Sequence, residues 1–366
     1  MNTNDIDLEL RGICKKFGSF TAVDNFSISM HKGEFLSFLG PSGCGKTTTL
    51  RMIAGFIEPT DGEVFIQGQN VTQLPPYKRD TGMVFQNYAL FPHLSVFDNI
   101  AFGLRYRKVS KEETKKRVAE MLDLVQLPDV ANRKPAELSG GQQQRIALAR
   151  ALVIKPKVLL LDEPLSNLDA KLREGLRIEL REIQQELGIT SVFVTHDQEE
   201  ALTLSDRVVV MDMGIITQIG SPHDIYEKPN SSFEAQFIGQ SNILEGTVES
   251  VADDHALVKL AKDLEIGVAW TNQVQARNKV KVLIRAERIR VRAEPKKEHL
   301  RQGVNVLKGK IVNIAYLGST IHYYIRLENE ETVLAIEQVT DVRAPLKEKD
   351  RAFLEINYTG CRFLSS

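Results

Sequence analysis

The run GPSGCGKT, Gly40 to Thr47, sets three glycines, a lysine and a hydroxyl at the spacing that cradles a polyphosphate. In such a loop the glycines let backbone N–H groups face phosphate oxygens. Lys46 offers a point charge to the β and γ groups, and the Thr47 hydroxyl can ligate Mg2+. Gly40, Pro41, Ser42, Gly43, Cys44, Gly45, Lys46, Thr47 and Thr48 therefore form the candidate nucleotide loop. A second chemical run, VLLLDEP, ends an apolar stretch in two carboxylates, Asp162 and Glu163. Asp162 suits a magnesium shell. Glu163 suits a general base that polarises an attacking water, a role worth roughly 10² to 10⁴ in rate. A third, LSGGQ, precedes the helical pattern QQRIALARALVI, so Ser139, Gly140, Gly141 and Gln142 present a helix N-terminus fit for a γ-phosphate.

Placing these groups requires buried strands. Glu34 to Leu39 and Val158 to Asp162 are short, apolar and bounded by polar or glycine residues. The first feeds the glycine loop, and the helix-like TTTLRMIAG follows. From Ile6 to about Ile219, apolar strand-like runs alternate with helical periods, which predicts an α/β domain with a mainly parallel sheet. Ser110 and Glu113 form a capping-box pattern before a helix whose Val118, Met121, Leu122 and Val125 share one face. Leu172, Leu176, Leu180, Ile183 and Leu187 recur at helical spacing, with Gly188 as the stop.

After Ser221 short alternating strands take over, predicting an all-β domain. Within it NILEGTVESV from Asn242 aligns with NVLKGKIVNI from Asn305, sharing Asn, Leu and Gly and matching Val248 with Ile311 and Val251 with Ile314. Two copies of one small β unit are expected.

Composition narrows the classes. Lys plus Arg is 47 against 48 Asp plus Glu, a formal charge of -1, so no overall positive field favours nucleic acid. Cys14, Cys44 and Cys361 are too few and too scattered for a disulfide framework or zinc site, which fits a reducing cytosol. The start MNTNDIDLELRG has no signal-peptide pattern, and no run approaches the roughly 18 apolar residues of a membrane span. Any link to a membrane is expected to go through a partner.

With LSGGQ lying between the glycine loop and DEP, the chain resembles the ATP-binding-cassette (ABC) ATPases rather than kinases or GTPases. That resemblance implies a P-loop cassette, a RecA-like core with a helical subdomain at about 88–155, over residues 1–237. An all-β OB-like (TOBE) domain over 238–366 follows, with repeats starting near 242 and 305. It implies ATP and Mg2+ as ligands and a dimer of two copies, each signature contacting the nucleotide of the other. Residue by residue, Phe17 matches the aromatic that stacks on adenine, although a core Phe would read the same way. Gln86 matches the glutamine that senses Mg2+ and the attacking water. Ser166 to Asp169 (SNLD) matches the loop coupling the two sites, and His196 the switch histidine on the γ-phosphate.

In the family a permease helix docks after Gln86, where Tyr88, Phe91, Phe97 and Phe102 could line a groove or merely fill a core. The tail is similar to those of importer ATPases, with Arg285, Ala286 and Glu287 standing where an RPE-like tripeptide is usual. The tail reads either as a regulatory module or as a dimer-stabilising appendage. These resemblances imply an ATPase at the cytoplasmic face of the inner membrane, working with permease subunits and, indirectly, a solute-binding protein. The stretch DGEVFIQGQNVTQLPPYKRDTGMVFQNYALFPHLSVFDNIAFGL is closest to spermidine/putrescine importers, with phosphonate, ferric iron or another small solute as alternatives. A soluble ABC ATPase of DNA repair or translation is the more distant alternative.

Overall fold

The computed structural model describes residues 5–260, 264–269, 274–295, 303–339 and 346–364, and the chain forms two compact units, Met1–Ile225 and Tyr226–Ser366. In the first, β1 (Ile6–Phe17), β2 (Phe20–His31) and β3 (Phe35–Leu39) lead into α1 (Lys46–Ala54), then β4 (Asp61–Ile66), β5 (Gln69–Asn70) and β6 (Thr81–Val84). Three helices follow: α2 (Val96–Tyr106), α3 (Lys111–Leu124) and α4 (Gly140–Leu152). The unit continues through β7 (Val158–Asp162), α5 (Ala170–Leu187), β8 (Thr190–Thr195), α6 (Gln198–Leu204), β9 (Arg207–Asp212) and β10 (Ile215–Gly220).

Its main sheet runs β10-β9-β3-β8-β7-β6, parallel except for β10. β3, β7 and β8 are buried at every position, as strands covered on both faces must be. Alternation along β7 assigns the faces. Val158 and Leu160 join the core around α1 and the antiparallel sheet β2-β1-β4-β5, while Leu159 and Leu161 join the core built by α2 to α5. Leu39 pairs with Thr195, Asp162 with Val194 and Val84 with Leu161, so the segments after β3, β8, β7 and β6 leave the sheet at one edge. Ligands of open α/β sheets bind at that carboxyl edge.

Ser110 caps α3 by accepting from the Glu113 amide, and Val118 and Leu122 are buried. α5 stops at Gly188, whose φ of 56° is left-handed. Leu176, Leu180 and Ile183 are buried on α5, but Leu172 and Leu187 are 36% and 43% exposed. Leu172 instead packs on the bare backbone of Gly141, where a Cβ would come within 2.9 Å of its Cδ2.

α7 (Pro222–Glu227) carries the division between the units. The second unit thus begins before residue 238 because Arg285 gathers the preceding chain. Its guanidinium donates to the carbonyls of Tyr226, Ala235 and Ile238 and lies 4.2 Å from the Tyr226 ring centroid. α8 (Ser232–Phe237) precedes β11 (Ser241–Val251), β12 (His255–Leu260), β13 (Glu265–Ala269), β14 (Lys279–Arg285) and β15 (Arg290–Arg292). A matching set follows: β16 (Val304–Tyr316), β17 (Thr320–Leu327), β18 (Thr332–Gln338), β19 (Arg351–Asn357) and β20 (Cys361–Leu364).

The sheets run β13-β12-β11-β14-β20 and β15-β19-β16-β17-β18, so each half lends its last strand to the other. The shared residues explain the repeat. Asn242 exchanges two hydrogen bonds with the Leu334 backbone, at 2.8 and 2.7 Å, and Asn305 does the same with Gly267, at 2.8 and 2.6 Å. Each asparagine therefore stitches its own half to the edge strand of the other. Val248 and Ile311 are buried, but Val251 is 40% exposed, because both copies break register just before it or its counterpart.

Candidate active site

The glycine loop leaves β3 and closes onto α1. Gly45 has φ 101°, and a Cβ there would lie 2.5 Å from the Ala22 carbonyl oxygen; at Gly40 it would lie 2.2 Å from that of Met211. No other side chain fits either position. The first amides of α1, at Lys46, Thr47 and Thr48, lack intrahelical acceptors by the geometry of a helix start. Lys46 is buried and its ammonium donates to the carbonyls of Gly40 and Pro41, at 2.7 and 2.9 Å. Cys44 Sγ is 3.7 Å from the same nitrogen, and burial pushes its thiol pKa up. Pro41, Ser42 and Gly43 form the outer, less buried part of the loop.

Across the edge, Thr47 Oγ1 donates to Asp162 Oδ1 at 3.0 Å. Asp162 is 4% exposed, and burial raises its carboxyl above the ordinary range; the Thr47 hydroxyl and the Arg51 guanidinium, 3.9 Å away, offset this in part. A buried carboxylate beside a hydroxyl, with its charge incompletely balanced, fits a cation. No cluster of three or more His, Cys, Asp or Glu that could hold a metal occurs among the described residues. Mg2+ is usually held by one or two protein oxygens and completed by phosphate and water, so the donor set fits that ion.

Glu163 follows β7 with φ 45°, an uncommon conformation for a non-glycine residue, fixed by its amide donating to Val194 O at 3.0 Å. Its Oε2 accepts from Gln86 Nε2 and lies beside His196 Nδ1, both at 3.2 Å. Gln86 is placed by Asn167, whose amide donates to the Gln86 carbonyl at 2.8 Å, and Ser166 Oγ donates to Glu163 O at 2.9 Å. The glycine loop, Asp162, Glu163, Gln86 and His196 are thereby gathered at one edge.

Other expected residues lie elsewhere. Phe17 is 50% exposed at the β1–β2 turn, paired with Phe20, rather than buried in the core. Ser139 caps α4 through a reciprocal bond with Gln142, and the signature glycines form its first turn. Gly140 and Gly141 neighbour Leu168 and Leu172; among the described contacts none joins the signature to the glycine loop of the same chain. Asp169 caps α5 by accepting from the Leu172 amide. Tyr88 is buried, its hydroxyl without a partner among the described residues, and Phe97 is partly buried. Phe91 and Phe102 form a ring pair 4.6 Å apart, with Phe102 48% exposed.

Arg51 and Arg173 were not singled out from the sequence, because each acts through a partner supplied by the fold; Asn167 was read only as part of the SNLD loop, not as the residue that places Gln86.

Residues 23–166 match the family model described as ABC transporter, and residues 282–364 that of the TOBE domain. The spermidine/putrescine import ATP-binding protein PotA of Rubrobacter xylanophilus is 50% identical over 335 residues, 91% of this chain and 87% of that one. The protein of the same name from Thermobifida fusca is 50% identical over 87% of this chain and 82% of that one. Among solved structures, the dimeric post-hydrolysis state of the ATP-binding cassette MJ0796 bound to ADP and Pi matches with a TM-score of 0.53 and 35% identity, covering 59% of this chain and 98% of that one. The cassette cbiO1 of Clostridium perfringens gives 0.57 and 30%, covering 61% and 92%. With its glycine loop, signature and DEP run in one α/β unit, and a TOBE domain following in sequence, the chain belongs to the ABC transporter family, as one of its ATPase subunits.

Proposed function

We propose that this ATPase subunit energises polyamine import, spermidine or putrescine, through permease subunits at the cytoplasmic face of the membrane. The observation that carries the hydrolytic part is the meeting of Gln86 and His196 on one oxygen of Glu163, beside the Thr47–Asp162 pair. The cargo rests on the 50% identity to importers of that name. No described helix is long and apolar enough to cross a membrane; in this reading the permease subunits supply the path.

In this reading the loop from Gly40 to Thr48 holds the ATP phosphates, and Lys46 exchanges two carbonyl bonds for phosphate oxygens. Phe17, half exposed and five residues before Ala22, whose carbonyl abuts Gly45, stacks on adenine. Thr47, Asp162 and Gln86 hold Mg2+, which when bound neutralises charge on the phosphates. Glu163 accepts a proton from water, oriented by Gln86, and His196 holds the γ-phosphate. The helix start formed by Ser139, Gly140, Gly141 and Gln142 serves the nucleotide of a second copy, together with Asp169. Closure of that dimer on ATP and its release on ADP supply the stroke, since a ligand moves a conformation only through differential affinity. The pair of half-buried Phe91 and exposed Phe102 is offered to a permease helix.

Uptake of radiolabelled spermidine and putrescine, compared between the host and a strain lacking this gene, tests the cargo. Loss of both uptakes supports the reading; unchanged polyamine uptake with lost phosphonate or ferric-iron uptake overturns it.

A further inference from the structure

We propose that Arg173 is a positioning residue for ATP hydrolysis, latching the loop after β7 to the loop after β8 and so fixing His196 against Glu163. The proposal rests on the reading of Glu163 and His196 as the hydrolytic pair. Arg173 stands in the first turn of α5, its amide bonded to the Asp169 carbonyl. One terminal nitrogen of its guanidinium donates to the Leu168 carbonyl at 2.9 Å, in the loop that starts at Glu163. The other reaches Asp197 Oδ2 at 3.5 Å, and Nε lies 3.9 Å from Glu200 Oε1.

Both carboxylates act on the neighbours of His196. Asp197 directly follows it and caps α6 by accepting from the amides of Glu199 and Glu200. Glu200 is 3% exposed and accepts from the Thr195 hydroxyl at 2.5 Å, and that hydroxyl accepts from the Asp197 amide at 2.9 Å. The histidine is therefore held on both flanks by residues tied to one guanidinium. Its own ring is 57% exposed, and its described side-chain contact is with Glu163 at 3.2 Å.

The fork is imperfectly satisfied: Nε is buried without a hydrogen-bond partner among the described residues. A guanidinium chosen for bonding alone would close that gap. Spread over two loops, it fits a group retained for where it stands. Lysine could not replace it, because a single ammonium cannot span a carbonyl and two carboxylates in a plane.

The test measures kcat per bound nucleotide, KM for ATP and thermal midpoint on the full-length chain for Arg173→Met, Arg173→Lys and Glu163→Gln. If the latch operates, both Arg173 variants lose about 10-fold or more in kcat with KM within about twofold, and Arg173→Lys keeps the wild-type midpoint. A folded Arg173→Lys with wild-type kcat, or a loss that appears only in KM or in the midpoint, overturns it. Glu163→Gln separates the two ideas. Wild-type turnover in that variant removes the hydrolytic reading itself, whereas its inactivity beside normal Arg173 variants removes only the latch.

Discussion

Glu163 combines a φ of 45° with a carboxylate aimed at both Gln86 and His196. Strain of that kind is retained where surroundings impose it, here the amide bond to Val194 in the adjacent strand. Glu163→Gln keeps the shape and removes the base, so steady-state ATP hydrolysis is expected to fall by about 10² to 10⁴ with ATP still bound. Gly45→Ala should fail differently. With φ at 101° and Ala22 O at 2.5 Å, the added methyl displaces the loop, and nucleotide affinity measured by calorimetry drops along with stability. The loop and the DEP run were legible in the sequence because their chemistry is carried by consecutive residues. Arg173 was not, since its carboxylate partners lie 24 and 27 positions away and only the order of β7 and β8 brings them near.

Elements show the same division between local and distant causes. The start of α3 at Ser110 and the stop of α5 at Gly188 depend on a few adjacent residues, and both were read from the sequence. The segment after Gln86 was not. Tyr88 and Ala89 take φ values of 60° and 46°, and their carbonyls receive the two terminal nitrogens of Arg150, both at 2.7 Å. Arg150 lies in the last turn of α4, the helix that begins at the signature, so one side chain pins the strained segment to that helix. That placement turned Tyr88 inward while Phe102 stayed exposed, a distinction aromatic spacing cannot make. Arg150→Met leaves two carbonyls without their charged donor and is expected to destabilise the first unit by about 3 kcal/mol, read from a denaturant midpoint.

The second unit carries its strongest expectations at the scale of the whole molecule, where two halves mirror each other. The equivalent asparagines predict reciprocal effects. Asn242→Leu should remove hydrogen-exchange protection from the Leu334 amide, and Asn305→Leu from the Gly267 amide, each costing roughly 1 to 3 kcal/mol locally. Unequal or uncrossed losses would contradict the mirror relation.

Alkali should test the same unit. Burial, and then its bond to Glu287, push the Tyr226 hydroxyl pKa from 10.0 to about 12. The folded chain thus holds that proton where the unfolded chain has lost it. The contribution is full below about pH 10 and disappears as pH rises toward 12, and Tyr226→Phe should flatten this limb of the stability curve.

The exchanged strands β15 and β20 have a consequence for how such a domain can be divided or inherited. Neither half closes its own sheet: each ends with an edge completed by a strand encoded in the other. Expressed as separate polypeptides, the halves should be insoluble alone and regain solubility only when produced together. Duplication here has gone past tandem copying into mutual dependence, so that losing either copy forfeits both.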